Sequence, residues 1–426
     1  MPRQPANWAG NVVYRADRIE RPRTVEELQH LVAANERVRA LGTGHSFNRI
    51  ADSSGVLISV AGLPPVMEID TGRASVTASA GLRYGDLAPR LHVAGYALHN
   101  LGSLPHISVS GACATGTHGS GDANGNLATA VSAMEIVTAD GEVMVLSRDG
   151  GPAGRERFRG AVVGLGALGI VTSLVLDIVP AFDVRQHVYD DLPAERLNTC
   201  FAEIFASGYS VSVFTDWLGA AHKQLWVKRR ADDGGSWRPE QHWMDARLAD
   251  GPRHPVPGMP PAYTTRQLGV PGPWHERLPH FRLDFTPSGG EELQSEYLVP
   301  RDRAVAAFDA MAGLGTRIGP VLQISEIRTV ASDDLWLSPS YHRDTIALHF
   351  TWIKDMAAVT PVIAAVEERL APLAARPHWG KLFGTAPSAL AALYERFPDF
   401  LELIRGYDPA GKFRNEFMGS CFMAAG

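Results

Sequence analysis

The sequence predicts an α+β fold, and three observations carry that expectation. The chain opens with a helix, a strand, a loop and another strand rather than with a βαβ unit. Asp140-Gly141, set between apolar runs at 134–138 and 142–146, is a strong hairpin signal and so places antiparallel pairing early. A β-branched run at 170–179 follows directly on a glycine-rich loop, where a dinucleotide fold of the βαβ type requires a helix.

A chain of 426 residues is long enough for two or three domains around a large core. Hydrophobic residues make up 45% and charged residues 20%, as in an ordinary soluble globular protein. The net charge of −6 offers no electrostatic reason to expect nucleic acid or an anionic membrane as partner. No apolar window reaches the ~18–20 residues a membrane helix needs. The N-terminal stretch lacks the apolar core of a signal peptide, so a cytoplasmic location is expected. Cys113, Cys200 and Cys421 are far apart, which argues against a disulfide framework or a zinc site, and no metal is expected.

In chain order, Pro22-Arg23-Thr24 opens a helix with Thr24 as N-cap and Glu27 completing a capping box. Val25, Leu28, Leu31 and Val32 form its buried stripe. Strands are expected over 38–41, 56–60 and 74–80, and a helix over 84–94 closed by Gly95. Gly164-Leu165-Gly166-Ala167-Leu168-Gly169 satisfies the G-x-G-x-x-G pattern, with Asp190 about twenty residues later. The strand-like run that follows refuses a nicotinamide site there. Pro180-Ala181-Phe182 reads as a boundary. Beyond it come strands over 184–189, 210–215 and 224–229 and a helix over 195–206. Residues 231–280, rich in Pro, Gly, Trp and His, form a long irregular excursion that reads equally as a packed surface loop or as a cover for the site. Regular elements resume over 302–312, 321–330, 345–352 and 362–370.

The stretch Arg39-Ala40-Leu41-Gly42-Thr43-Gly44-His45-Ser46-Phe47-Asn48 ends a short strand in two glycines two residues apart. Such a turn exposes successive amides as a nest for a phosphate or pyrophosphate, with His45 beside it as a nucleophile. The same residues also read as a plain turn with a surface histidine. A second Gly-rich loop, Ser110-Gly111-Ala112-Cys113-Ala114-Thr115-Gly116-Thr117-His118-Gly119, favours the first reading, since two such loops suit the two ends of a dinucleotide.

Together these loops resemble the FAD-binding domain of the vanillyl-alcohol oxidase family. Leu101-Gly102-Ser103-Leu104-Pro105-His106, Glu326-Ile327-Arg328-Thr329, His349-Phe350-Thr351-Trp352 and Pro377-His378-Trp379-Gly380-Lys381 resemble the bacterial alditol (xylitol) oxidases within it, and the similarity runs along essentially the whole chain. The resemblance implies a discontinuous, two-part FAD-binding domain of the vanillyl-alcohol oxidase type (1–180 and 386–426). A substrate domain (181–385), built on an antiparallel sheet flanked by helices, is inserted within it. It also implies FAD contacts from Leu41, Gly42, Thr43, Gly44, His45, Ser46, Gly102, Ser103, Ser110, Gly111, Cys113, Thr115, Gly116, His118, Gly119, Ile170 and Asn415, with the flavin covalently attached through His45. His99 stands where that family leads one to expect proline.

Strand period adds an independent reading. Residues two apart share a face, so Glu326 and Arg328 point one way, as do His349 and Thr351. Glu326 and Arg328 also read as a solvent-exposed pair, His349 as a core histidine and Lys381 as a snorkelling surface lysine. The resemblance makes Ser103, Glu326, Arg328, Thr351 and Lys381 a polyol site, and His349, Lys381, Glu326 and Arg328 its chemistry. His349, aided by Lys381, takes the hydroxyl proton. Gly102 leaves a path for dioxygen. The expected protein is a monomeric alditol oxidase making an aldose and hydrogen peroxide. The rivals are a sugar-lactone oxidase or dehydrogenase of the same family and a non-enzymatic flavin- or sugar-binding protein.

Overall fold

The computed structural model describes residues 5–234, 237–284 and 290–423. Residues 1–4 of the N-terminal stretch, 235–236 within the excursion and 424–426 of the tail lie outside them. A small parallel sheet comes first. It joins β1 (Arg18–Glu20), β3 (Val56–Ile58) and β2 (Val38–Ala40) in that spatial order, with α1 (Val25–Ala34) between β1 and β2. The chain thus does open with a βαβ unit, contrary to the expectation, because the short β1 pairs parallel with β3. Thr24 caps α1 by accepting from Glu27 N at 3.1 Å. The return arm differs from a capping box, because the Glu27 carboxylate accepts from Arg23 N at 2.7 Å, one residue before the cap.

Next comes an antiparallel five-stranded sheet of β4 (Met67–Asp70), β5 (Ser75–Ser79), β6 (Val131–Val137), β7 (Val143–Ser147) and β8 (Ile170–Asp177), in the order β4-β5-β8-β6-β7. Helices α2 (Tyr84–Val93), α3 (Val109–Ala114) and α4 (Gly151–Val162) bury their apolar faces with it in one cluster that includes Leu87, Leu91, Val109, Phe158 and Leu174. Gly95 and Gly141 sit at φ +86° and +88°, as a helix stop and a hairpin tip require. Gly169 leads into β8 and not into a helix.

A ten-stranded antiparallel sheet occupies the middle of the chain. Its central strands are β9 (Asp183–Pro193), β10 (Ser210–Thr215), β11 (Ala221–Arg230), β12 (Leu293–Pro300), β13 (Leu322–Val330) and β14 (Thr345–Trp352), ordered β9-β11-β10-β13-β14-β12. Helices α5 (Ala304–Ala312) and α6 (Met356–Leu370) cover one face, where Phe308, Met311, Ile363 and Val366 pack with Val213, Ile327, Leu348 and Phe350. The other face mixes polar side chains with a second apolar cluster that includes Val188, Phe214, Trp226 and Ile324. The helix expected over 195–206 is broken at Cys200, whose backbone (φ −115°, ψ 22°) is not helical. Helix α6 begins six residues before the expected start, because Asp355 caps it and Pro361 is carried inside.

The tail rejoins the first sheet. Val38 N donates to Lys412 O at 3.0 Å, and Phe413 is fully buried beside Leu28, Val38 and Ile170. Among the described residues, no helix is long and apolar enough to cross a membrane.

Candidate active site

A deep cleft runs between the glycine loops and the polar face of the large sheet. At its first wall, β2 delivers the chain into the loop at 41–46. Thr43 Oγ1 accepts from Ser108 N at 3.2 Å and so ties the two glycine-rich stretches together. A Cβ on Gly42 or Gly111 would fall 2.6 or 2.7 Å from Ser108 Oγ, so any side chain at either glycine would have to displace that hydroxyl where the loops cross. Arg39, buried behind the loop, donates to Leu165 O at 2.8 Å, Gly166 O at 2.9 Å and Phe413 O at 2.9 Å. That is what the G-x-G-x-x-G loop does locally: it supplies carbonyls to Arg39, with Gly166 at φ +68°.

His45 stacks on Trp8 at 5.3 Å between ring centroids, and its Nδ1 lies 3.0 Å from Thr43 Oγ1. Burial, helped by His106, draws it down to about 4, so it stands as a neutral imidazole with a free electron pair. Gly102 lines the cleft, and a Cβ there would make ordinary contacts of 3.8 Å with His118 O, Ile107 Cδ1 and Thr117 Cγ2. The loop before it, with His99 in place of proline, is held by hydrogen bonds: Tyr209 Oη donates to His99 O, and Asn100 Nδ2 to Ser120 O at 3.1 Å.

The opposite wall is a grid. In register across β12, β14 and β13 lie Glu296, His349 and Glu326; the row toward one end holds Gln294, Thr351 and Ile324, and the other Leu298, Ala347 and Arg328. Leu348, Phe350 and Trp352 alternate to the helix-covered side and fix the strand that carries His349. Glu296 accepts from Arg328 Nη2 at 2.6 Å and from Lys381 Nζ at 2.7 Å, and His118 Nε2 approaches it to 3.3 Å without hydrogen-bond alignment. Glu326 accepts from His280 Nε2 at 2.8 Å, with Arg328 Nε at 3.6 Å. Burial pushes both carboxyls up, but Lys381 and Arg328 at Glu296, and Arg328 and His280 at Glu326, hold both well below the usual carboxylate range. Burial and the Lys381 charge hold His349 well below the usual imidazole range, and its Nε2 has no hydrogen-bond partner. A buried ring nitrogen without a partner, in a wall that faces a cleft, is placed to meet a hydroxyl.

Leu41, Gly42, Thr43, Gly44, His45, Ser46, Gly102, Ser103, Ser110, Gly111, Cys113, Thr115, His118, Glu326, Arg328, His349, Thr351 and Lys381 all line this one cleft. Four of the expected cofactor residues do not. Gly116 turns at φ +65° against Pro339, and Gly119 packs on Leu101 O, where a Cβ would sit 2.4 Å away. Ile170 is fully buried in the core, although Gly169 and Val171 on either side line the cleft. Asn415 clips the tail to the first loop, donating to Arg49 O, Ile50 O and Asp52 O and accepting from Met418 N. Glu326 and Arg328 are not a solvent pair, and Lys381 is not a surface lysine, for all three are buried or nearly so. Sequence reasoning missed Glu296 and His280. The alternation of Gln294 and Glu296 with Leu293, Ser295 and Tyr297 was the available signal for the first. The excursion at 231–280 covers the cleft with His254, Val256 and Met259 and delivers His280 to Glu326.

A family model described as an FAD binding domain matches residues 16–147, and one described as D-arabinono-1,4-lactone oxidase matches residues 291–421. The chain is 51% identical over 415 residues to an alditol oxidase from a Streptomyces species, with 97% of each chain covered. The chain belongs to the alditol oxidase family, flavoproteins of the vanillyl-alcohol oxidase type. The family's lactone-directed relatives are more distant. An L-gulono-1,4-lactone dehydrogenase of Mycobacterium tuberculosis is 29% identical over 97% of each chain, and the L-gulonolactone oxidase of Bos taurus is 24% identical over 98% of this chain and 97% of that one. The fold is that of cholesterol oxidase from B. sterolicum, with a TM-score of 0.77 at 16% identity over 98% of this chain and 96% of that one. The glycine loops, the neutral His45 and the cleft-lining backbone at Gly102 fit FAD, the cofactor of this alditol oxidase family.

Proposed function

We propose that the chain oxidises the primary C1 hydroxyl of alditols such as xylitol and sorbitol to the aldose, with dioxygen reduced to hydrogen peroxide. The observation that carries this reading is the row Glu296–His349–Glu326, in which a buried neutral imidazole presents an unpartnered Nε2 to the cleft between two ionised carboxylates. Bound FAD supplies the hydride acceptor at N5 and passes the electron pair to dioxygen. The protein's own part is binding and proton handling. Glu326 is an acceptor, Arg328 a rigid donor fork, and Ser103 and Thr351 act as either, which suits a chain of hydroxyls. His349 takes the C1 hydroxyl proton, and the Lys381 cation favours alkoxide character in that oxygen.

The same reading attaches FAD covalently to His45. It divides the chain into an FAD-binding domain at 1–180 and 386–426 and a substrate domain at 181–385, and makes the protein a cytoplasmic monomer. A lactone substrate is the second reading, favoured by the match of residues 291–421 to a lactone-oxidase family model and by the more distant lactone-directed relatives. A peroxide assay across xylitol, sorbitol, 1-pentanol and L-gulono-1,4-lactone separates them. Each hydrogen bond to a charged group contributes about 1.5–3 kcal/mol, roughly ten- to a hundredfold in kcat/KM. Xylitol and sorbitol are therefore expected to outrun 1-pentanol by several orders of magnitude. Equal turnover of 1-pentanol or the lactone would rule out the polyol assignment.

A further inference from the structure

From the cleft wall at Glu326 a buried chain of polar groups runs through His280 into the interior, and the proposed chemistry does not use it. Lys228 on β11 is 1% exposed, and its Nζ donates to Leu278 O at 2.5 Å and lies 3.3 Å from Pro279 O and 3.1 Å from His280 Nδ1. His280 Nε2 in turn stands 2.8 Å from Glu326 Oε1. The imidazole packs edge-on against the rings of Trp226 and Phe214, at 5.2 and 5.4 Å between centroids, and its backbone N–H is anchored to Ser103 O at 3.2 Å.

The hydrogens in this chain can be assigned. An ionised carboxylate only accepts, so the contact at Glu326 requires a hydrogen on His280 Nε2. Burial and the neighbouring Lys228 draw His280 down to about 4, so the ring is neutral and carries a single N–H. Nδ1 is then a bare acceptor in a dry interior and needs a donor, which Lys228 provides. Burial draws Lys228 down to about 7, and either protonation state keeps N–H groups to give. One oxygen of Glu326 is thus occupied by His280.

We propose that Lys228 and His280 are positioning residues which hold the Glu326 carboxylate in a fixed, ionised, acceptor-only orientation toward the substrate. This rests on the reading of Glu326 as a hydroxyl acceptor. Lys228 and His280 themselves touch no reacting atom. A polyol hydroxyl meeting Glu326 finds a carboxylate that cannot rotate or take up a proton. The pair therefore acts on affinity for hydroxyl-rich substrates and not on the proton transfer at C1.

The test is a double-mutant cycle on the FAD-loaded enzyme, with flavin content and Tm checked for every variant. His280→Phe is expected to raise KM for xylitol by roughly ten- to a hundredfold, with kcat held within about threefold, since uniform binding is lost. His280→Gln, which still offers an N–H to Glu326, is expected to recover most of that loss, and Lys228→Met to raise KM in the same direction. On a Glu326→Gln background His280→Phe is expected to add less than about twofold, because the effect runs through Glu326. A full, multiplicative penalty on that background overturns the proposal, and so does a His280→Gln variant as poor as His280→Phe. Nitrogen-15 NMR of histidine-labelled wild type gives a readout free of turnover and of mutant folding: protonated Nε2 with bare Nδ1 is expected at His280, and the reverse tautomer overturns the relay. If wild type fails to oxidise xylitol, the polyol reading falls, while the tautomer spectrum still judges the relay on its own.

Discussion

Lys381 Nζ stands 2.7 Å from Glu296 Oε2, so the cation beside His349 is one half of a buried ion pair. The other oxygen of Glu296 takes Arg328 Nη2 at 2.6 Å, and one carboxylate therefore sets the place of both cations, Lys381 and Arg328. Lys381 comes from the segment after β14 and Arg328 from β13. The residue that joins them belongs to β12.

Glu296→Gln keeps the shape and removes the charge. Lys381 loses its ion-pair partner and Arg328 one of its two carboxylates, which is expected to cost about 3–5 kcal/mol of stability, checked by urea unfolding. Burial holds Lys381 below its usual value, and Glu296 opposes that. Removing the carboxylate lowers Lys381 further, so its cation is lost at a lower pH. The alkaline limb of kcat/KM for xylitol is expected to move to lower pH in the variant. An unmoved limb would show that Lys381 charge does not govern turnover.

That Glu326 and Arg328 share a face of their strand, and His349 and Thr351 a face of theirs, was legible because strand period puts residues two apart on one side; that these faces belong to a site came only from the family resemblance. The loop at 41–46 was legible because its glycines and His45 are contiguous. Glu296 was not, since what defines it is a pairing across strands, with Lys381 and Arg328 far along the chain. His280 lies in a Pro-rich stretch with no period to read, and only the folded excursion brings it to Glu326. Local signals failed in small ways for related reasons. Glu27 found Arg23 N instead of the cap residue, and Cys200 interrupts a helix that periodicity carries straight through.

Asp190, the acid that completes the misleading dinucleotide pattern, has a different task. It accepts from Arg253 Nη2 at 2.8 Å and Nε at 3.1 Å, which pins the excursion to β9 just before the cleft residues His254 and Val256. Asp190→Ala is expected to raise KM for xylitol severalfold, with flavin content unchanged, and to speed limited proteolysis within 240–270. Unaltered proteolysis would mean that the ion pair does not hold the cover in place.

His45 is a neutral, stacked imidazole at the mouth of the nest. Purified protein is expected to be yellow, and acid precipitation to leave the colour in the pellet through a bond to His45. His45→Ala is expected to bind FAD less tightly and release it on precipitation, because the nest remains while the attachment is gone. A mass spectrum of unmodified polypeptide in a flavin-saturated preparation would contradict attachment.

Gly102 offers a test of how dioxygen reaches the site. Gly102 lines the cleft, and a Cβ there meets its nearest protein atoms at an ordinary contact of 3.8 Å, so the fold accommodates the first atom of a side chain at this place. On the proposed reading, a group added at Gly102 obstructs a small apolar molecule approaching from that side, while most of the polyol's contacts come from Glu326, Arg328 and Thr351 on the opposite wall. The two half-reactions are thereby separable. Gly102→Val is expected to slow reoxidation of the reduced enzyme by dioxygen and to leave anaerobic reduction by xylitol within a small factor. Stopped-flow absorbance at the flavin band reads both steps on one preparation. Equal slowing of the two means that the valine has deformed the site, and the oxygen path then lies elsewhere.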